Sequence, residues 1–119
     1  MNEHEMKERT KTFALRILKL ADVLPATRSG NTIANQIVRS GSSVAANYRA
    51  LCRAKSRADF IHKTIVVEEE ADETCFWLEM IIAAKLMNSA RINPILQEAN
   101  ELTAITVATR KTVSRKQSR

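Results

Sequence analysis

The chain has 119 residues, 45% of them hydrophobic, which is one domain's worth of polypeptide and too apolar to stay disordered. Lys and Arg number 19 against 13 Asp and Glu, for a formal net charge of +6, and there are only 2 Gly and 2 Pro. Turn residues this scarce exclude a small β-sandwich or barrel, which needs a turn every ~8–12 residues; they leave a few long helices and a surplus of positive charge to explain.

The first helix is expected from about Glu3 to Leu24. Met6, Phe13, Ile17, Leu20 and Leu24 recur at helical spacing on one face, and Pro25 stops it. Arg28-Ser29-Gly30-Asn31 reads as the connection. The second helix is expected from about Thr32 to Arg53, with Ile33, Ile37, Gly41, Val44, Tyr48 and Leu51 as its core stripe. Gly41 on that stripe costs about 1 kcal/mol relative to Ala, so it marks either close helix packing or a local break. The third helix opens on the capping box Ser56-Arg57-Ala58-Asp59 and runs to about Met87. The fourth is expected to start at Asn93-Pro94, with Ile95, Ala99, Leu102, Thr106 and Val113 facing inward.

Short connections between long helices imply antiparallel neighbours. The expected fold is therefore all-α, an antiparallel up-down-up-down four-helix bundle. Residues 1–119 form a single domain in this reading, with a basic C-terminal end at about 110–119.

Cys52 and Cys75 are too few for a disulfide framework or a four-cysteine zinc site, and they read as small buried apolar residues. MNEHEMKERTK is charged from residue 3 and has no apolar segment, so it is no signal peptide. The longest apolar run, Met80 to Ala84, falls far short of the ~20 residues that span a bilayer. A cytoplasmic chain with no membrane partner is expected.

Three constellations have more than one reading. Glu68, Asp72 and Glu79 share a stripe of the third helix. Di-iron bundles place carboxylates this way but also need Glu-x-x-His, which the chain lacks. The acids are instead expected to meet basic residues of a neighbouring helix or subunit, or to mark the solvated border of the face, and no metal or cofactor is expected.

Asn35, Arg39, Ser42, Ala46, Arg49 and Arg53 form a stripe opposite the second helix's core face, and the basic run continues through Lys55, Arg57 and Lys63. Lys and Arg contacts supply the sequence-independent part of nucleic-acid binding, while the small residues suit close approach of another helix. A phosphate-binding surface and an intersubunit surface are both open.

Arg110, Lys111, Arg115, Lys116 and Arg119 follow the last acid, Glu101. Cations favour a helix C-terminus, which accounts for two or three of these charges; a tail that tracks a phosphate backbone accounts for the whole run. Tyr48 and Trp77 are the only large polar aromatics, so a base-stacking platform is not expected.

Leu15 and Leu18 lie off the first helix's core stripe, and Val66 and Trp77 lie off the third's. A lone bundle would expose them, and a second apolar strip marks a protein–protein surface. With Arg39 they are the expected oligomer interface. There is no glycine-rich phosphate loop, no nucleophile elbow and no paired Cys/His spacing, so an enzyme is not expected.

The stretch Gln36-Ile37-Val38-Arg39-Ser40-Gly41-Ser42-Ser43-Val44-Ala45-Ala46-Asn47-Tyr48, then Arg53-Ala54-Lys55-Ser56, resembles the signature of the bacterial four helix bundle protein family, also called 23S rRNA intervening-sequence proteins. Asp59-Phe60-Ile61-His62-Lys63, Glu68 to Thr74, and Phe76-Trp77-Leu78-Glu79 are similar to that family's third helix. The Glu-Gly frequent after Ala-Asn is replaced here by Ala50-Leu51, which points to a subgroup. The resemblance implies an antiparallel bundle assembled as a homopentamer. A branch similar in architecture, the accessory proteins of diversity-generating retroelements, associates with a reverse transcriptase and nucleic acid. The resemblance supplies no catalytic residues. The residues expected to contact RNA or DNA are Arg49, Arg53, Lys55, Arg57, Arg110, Lys111, Arg115 and Lys116. The competing expectation is a protein-interaction scaffold with no nucleic-acid role.

Overall fold

In the computed structural model, which describes residues 1–117 and side chains as far as Arg115, the chain folds as α1 (Glu3–Asp22), α2 (Arg28–Leu51), α3 (Arg57–Ala83) and α4 (Ser89–Gln117). Each helix packs along the next, α1 and α4 close the circuit along a shorter seam, and α1 and α3 sit on the diagonal. The result is the expected up-down-up-down bundle, 51 × 23 × 20 Å.

The helix ends follow from local chemistry. The Asn2 side chain caps α1 by accepting from the Glu5 N–H at 2.8 Å. The helix ends at Asp22, two residues before the expected Leu24, because a residue preceding proline is pushed out of the helical region. α2 begins at Arg28, four residues earlier than expected. Thr27 Oγ1 accepts from the Gly30 N–H at 3.0 Å, so Arg28-Ser29-Gly30-Asn31 is the first helical turn rather than a connection. Gly30 is required for space: a Cβ there would lie 1.9 Å from the Pro25 carbonyl oxygen.

α3 starts at the expected box. Ser56 Oγ accepts from the Asp59 N–H at 3.0 Å, and Asp59 Oδ2 accepts from the Lys55 N–H at 3.0 Å. It stops at Ala83 rather than Met87 because Lys85 takes φ 56°, in the left-handed region. The Lys85 N–H then reaches the Ile82 carbonyl and the Leu86 N–H the Ile81 carbonyl, each at 3.0 Å, which closes a Schellman motif. α4 starts at Ser89, with Asn88 Oδ1 accepting from the Ala90 N–H at 2.8 Å. Pro94 therefore lies inside the helix, in its second turn, where it costs one backbone hydrogen bond.

The core runs the length of the bundle. Phe13, Ile17, Ile37, Leu78, Ile81 and Ile92 are fully buried, joined by Val44, Val67 and Leu102. Gly41 settles the packing question: a Cβ there would meet Ile17 Cγ2 at 2.8 Å, so α1 and α2 approach closely at this point and α2 is unbroken. The buried hydroxyls are satisfied. Thr74 Oγ1 bonds Ser40 Oγ at 2.9 Å across α2 and α3 and also the Glu70 carbonyl at 2.8 Å. Cys75 is buried and Cys52 half-buried, both as free thiols.

Candidate nucleic-acid interface

Glu68, Glu70 and Glu73 of α3 find partners inside the chain. Glu68 takes Arg110 of α4, with Arg110 Nε to Glu68 Oε2 at 2.6 Å. Glu70 takes Arg39 of α2 at 3.1 Å, and Glu73 is bonded by the same guanidinium. Asp72 and Glu79, expected on a stripe with Glu68, are exposed. Among the described residues no three His, Cys, Asp or Glu side chains gather closely enough to hold a metal ion.

Arg39, open to a phosphate-binding or an intersubunit reading, meets acids of α3 within its own chain, because α2 and α3 are neighbours and Glu70 and Glu73 line their seam. One expectation changes. The spacing on α3 predicts that Val66 and Trp77 are exposed; both are half-buried, and Trp77 packs against the core with Nε1 donating to Glu73 Oε2 at 3.1 Å. The exposed apolar side chains of α3 are Phe76 (49%) and Met80 (36%) instead. Phe76 meets the Trp77 ring edge-on at 4.9 Å between centroids. Leu15 and Leu18 are exposed on α1, as the helical spacing predicts.

The basic residues divide into three sets. Arg110 is held by Glu68. Arg49 lines a groove between α1 and α2 with Lys7, Glu8, Lys11, Ala45 and Ala46. Lys7 and Lys11, one turn apart off the α1 core stripe, are absent from the sequence-based set because the apolar spacing of α1 carries no signal for them.

The third set forms a site. Arg53 and Lys55 lie between α2 and α3, and Arg57 opens α3. α4 runs back past this connection, and its Val113 shares a shallow hollow with Ala54, Ser56, Arg57 and Phe60. Lys111 and Arg115, two residues to either side of Val113, are thereby brought to the end of the bundle that carries Arg53, Lys55 and Arg57. All five side chains are exposed, and none is in an ion pair among the described residues. Lys116, also expected in this set, and Arg119 of the same basic run lie outside the described side chains.

Two acids stand beside the connection, Glu3 of α1 against Cys52 and Asp59 of α3, and Asp59 is occupied. Asp59 Oδ1 accepts from Lys63 Nζ at 2.6 Å, and this bond, helped by the Lys55 N–H, holds the Asp59 carboxyl below its ordinary range. Two helix N-termini and two C-termini meet at this end, so their dipoles largely cancel and the side chains set the sign of the field. Exposed, unpaired cations on two adjoining segments are what a phosphate backbone needs.

Among the described residues, no helix is long and apolar enough to cross a membrane. None of the curated proteins matches the chain. A solved structure does: a protein of unknown function from the S23 ribosomal protein family of Bacteroides thetaiotaomicron is 32% identical, with a TM-score of 0.85 over 93% of this chain and 99% of that one. A protein family described as 23S rRNA-intervening sequence protein matches residues 2–108. Arg53, Lys55 and Arg57 lie inside that span, whereas Lys111 and Arg115 lie past its end. On a match of this extent, the chain belongs to the 23S rRNA-intervening sequence protein family.

Proposed function

We propose that the chain is a non-enzymatic helical bundle that binds nucleic acid, RNA foremost, through sequence-tolerant contacts to the phosphate backbone. The observation that carries this reading is the convergence of Arg53, Lys55 and Arg57 with Lys111 and Arg115 at one end of the bundle, exposed and without ion-pair partners among the described residues. The family description, with its mention of 23S rRNA, and the basic balance of the chain support it. A gel-shift series with rRNA fragments and unrelated RNA at two salt concentrations tests it. Binding of both RNAs that weakens steeply with salt is expected; binding of neither contradicts the reading.

A homo-oligomer accompanies this reading. Leu15 and Leu18 on α1, and Phe76 and Met80 on α3, are exposed on helices that lie diagonally across the bundle. Two different apolar faces on opposite sides suit head-to-tail contacts between copies, the arrangement that closes into a ring. By family resemblance the ring has five members. Sedimentation of the intact protein and of Leu15→Lys and Phe76→Lys tests it: a discrete oligomer reduced to smaller species by either change is expected, and a monomer at all concentrations contradicts it. In the competing scaffold reading, the same faces would take other proteins and the basic end would bind no RNA.

A further inference from the structure

Beside the basic end lies a second hollow with different chemistry. It has a volume of about 280 Å³ and sits where the start of α1, the end of α2, the start of α3 and the late turns of α4 meet. Met6, Tyr48, Cys52, Phe60, Thr106 and Thr109 line it. Phe60 also walls the shallow hollow that contains Arg57 and Val113. One aromatic ring therefore separates an apolar space from the cations that face solvent.

The polar groups of this hollow mostly accept hydrogen bonds. Thr64, Thr106 and Thr109 each donate their hydroxyl to a carbonyl of their own helix, at 2.7, 2.7 and 2.9 Å, which leaves each oxygen as an acceptor. Glu3 adds a carboxylate to the lining. Burial pushes the Tyr48 hydroxyl and the Cys52 thiol up, so both keep their protons and can donate as well as accept. An apolar space walled by aromatic rings and rich in acceptors suits a flat ring that carries N–H donors. The volume is just below the range of ligand pockets, roughly 300–1,000 Å³, and so suits one such ring at most.

We propose that this hollow holds a single unpaired, amino-bearing base of a single-stranded RNA whose backbone passes over Arg57. The proposal rests on the nucleic-acid reading above and names the form of the ligand: a strand end or loop, rather than a continuous duplex. Two rings around one small hollow cannot stack successive bases, but they can wall a pocket for one. Stacking of a base on an aromatic side chain changes affinity by about tenfold or more.

The test compares two short labelled single-stranded RNAs, identical except that one carries a terminal adenine and the other an abasic site, by fluorescence anisotropy with the full-length protein. The proposal expects the adenine RNA to bind about tenfold tighter. Thr109→Phe, which fills the hollow without changing charge, is expected to bring the adenine RNA down to the affinity of the abasic one. A second measurement needs no variant: adenosine monophosphate, but not ribose 5-phosphate, is expected to shift the NMR signals of the Tyr48 ring and the Thr106 methyl. Equal, salt-sensitive binding of the two RNAs would overturn the base pocket and leave the basic end standing. If neither RNA binds at low salt, both readings fail together.

Discussion

Arg110 donates from Nε to Glu68 Oε2 at 2.6 Å and from Nη2 to Oε1 at 3.3 Å, which ties α4 to α3 at the head of the basic C-terminal run. The cations of that run are therefore not equivalent. Arg110 is answered inside the chain, whereas Lys111 and Arg115 are exposed without ion-pair partners among the described residues.

This division predicts two classes of charge-removal variant. Lys111→Gln and Arg115→Gln lower RNA affinity. Each reduces the slope of log affinity against log salt by about 0.7, the value for one fewer phosphate neutralised on a single strand. Arg110→Gln leaves the slope in place and lowers the melting temperature by freeing Glu68. Salt titrations of RNA binding, paired with thermal melts, separate the two classes.

Gly41 and Ile17 make a second prediction. Alanine at 41 gains about 1 kcal/mol of helix propensity, but its Cβ would stand 2.8 Å from Ile17 Cγ2. Overpacking of this kind costs about 1–3 kcal/mol, so Gly41→Ala destabilises the bundle by up to about 2 kcal/mol. Ile17→Ala removes the obstructing Cγ atoms at a cost of about 2–5 kcal/mol. In that background Gly41→Ala becomes stabilising. Urea melts of the four proteins in this cycle read the reversal of sign.

Lys85 predicts a gain. It holds the left-handed position of the α3 Schellman motif at φ 56°, a conformation that costs a residue with a Cβ about 1–2 kcal/mol. Lys85→Gly relieves that strain, less the entropy of a freer unfolded chain, and raises stability by about 0.5–1 kcal/mol. Chemical denaturation checks this, with Lys85→Ala as the control that gains nothing.

Asp59 sets an acid limit on α3. Its carboxyl is held below its ordinary value by Lys63 first and the Lys55 N–H second. The folded state thus binds fewer protons than the unfolded one in the window just below pH 3.8, and stability there rises with pH. The contribution is fully present above the unfolded value and is lost as the pH falls through the folded value. Asp59→Asn is expected to flatten the decline in melting temperature between about pH 4 and pH 2.

The fold was legible because apolar spacing and the Ser56–Asp59 box are local signals. The helix ends were less so. Arg28-Ser29-Gly30-Asn31 has the composition of a turn, and only the nearby Pro25 carbonyl shows that Gly30 was chosen for space inside a helix. Asn93-Pro94 has the composition of a helix start, yet Asn88 caps the helix first. The basic residues of the site were each visible, but their grouping was not. That grouping depends on how far α4 runs past the α2–α3 connection, a distance set by three helix lengths at once. The partners of Arg39 and Arg110 were hidden for a related reason. Charge spacing shows which helix face a residue occupies, but not which neighbour lies against that face.

The proposed function depends on the two basic segments acting as one surface. The most direct measurement is the RNA affinity, at fixed salt, of Arg57→Glu, of Arg115→Glu and of the double variant, with circular dichroism to verify the fold. Either reversal alone is predicted to weaken binding of rRNA fragments and unrelated RNA alike. The double variant is predicted to weaken it further than either single change, because both segments carry exposed cations at the same end of the bundle. Unchanged affinity in the folded double variant would contradict the proposal.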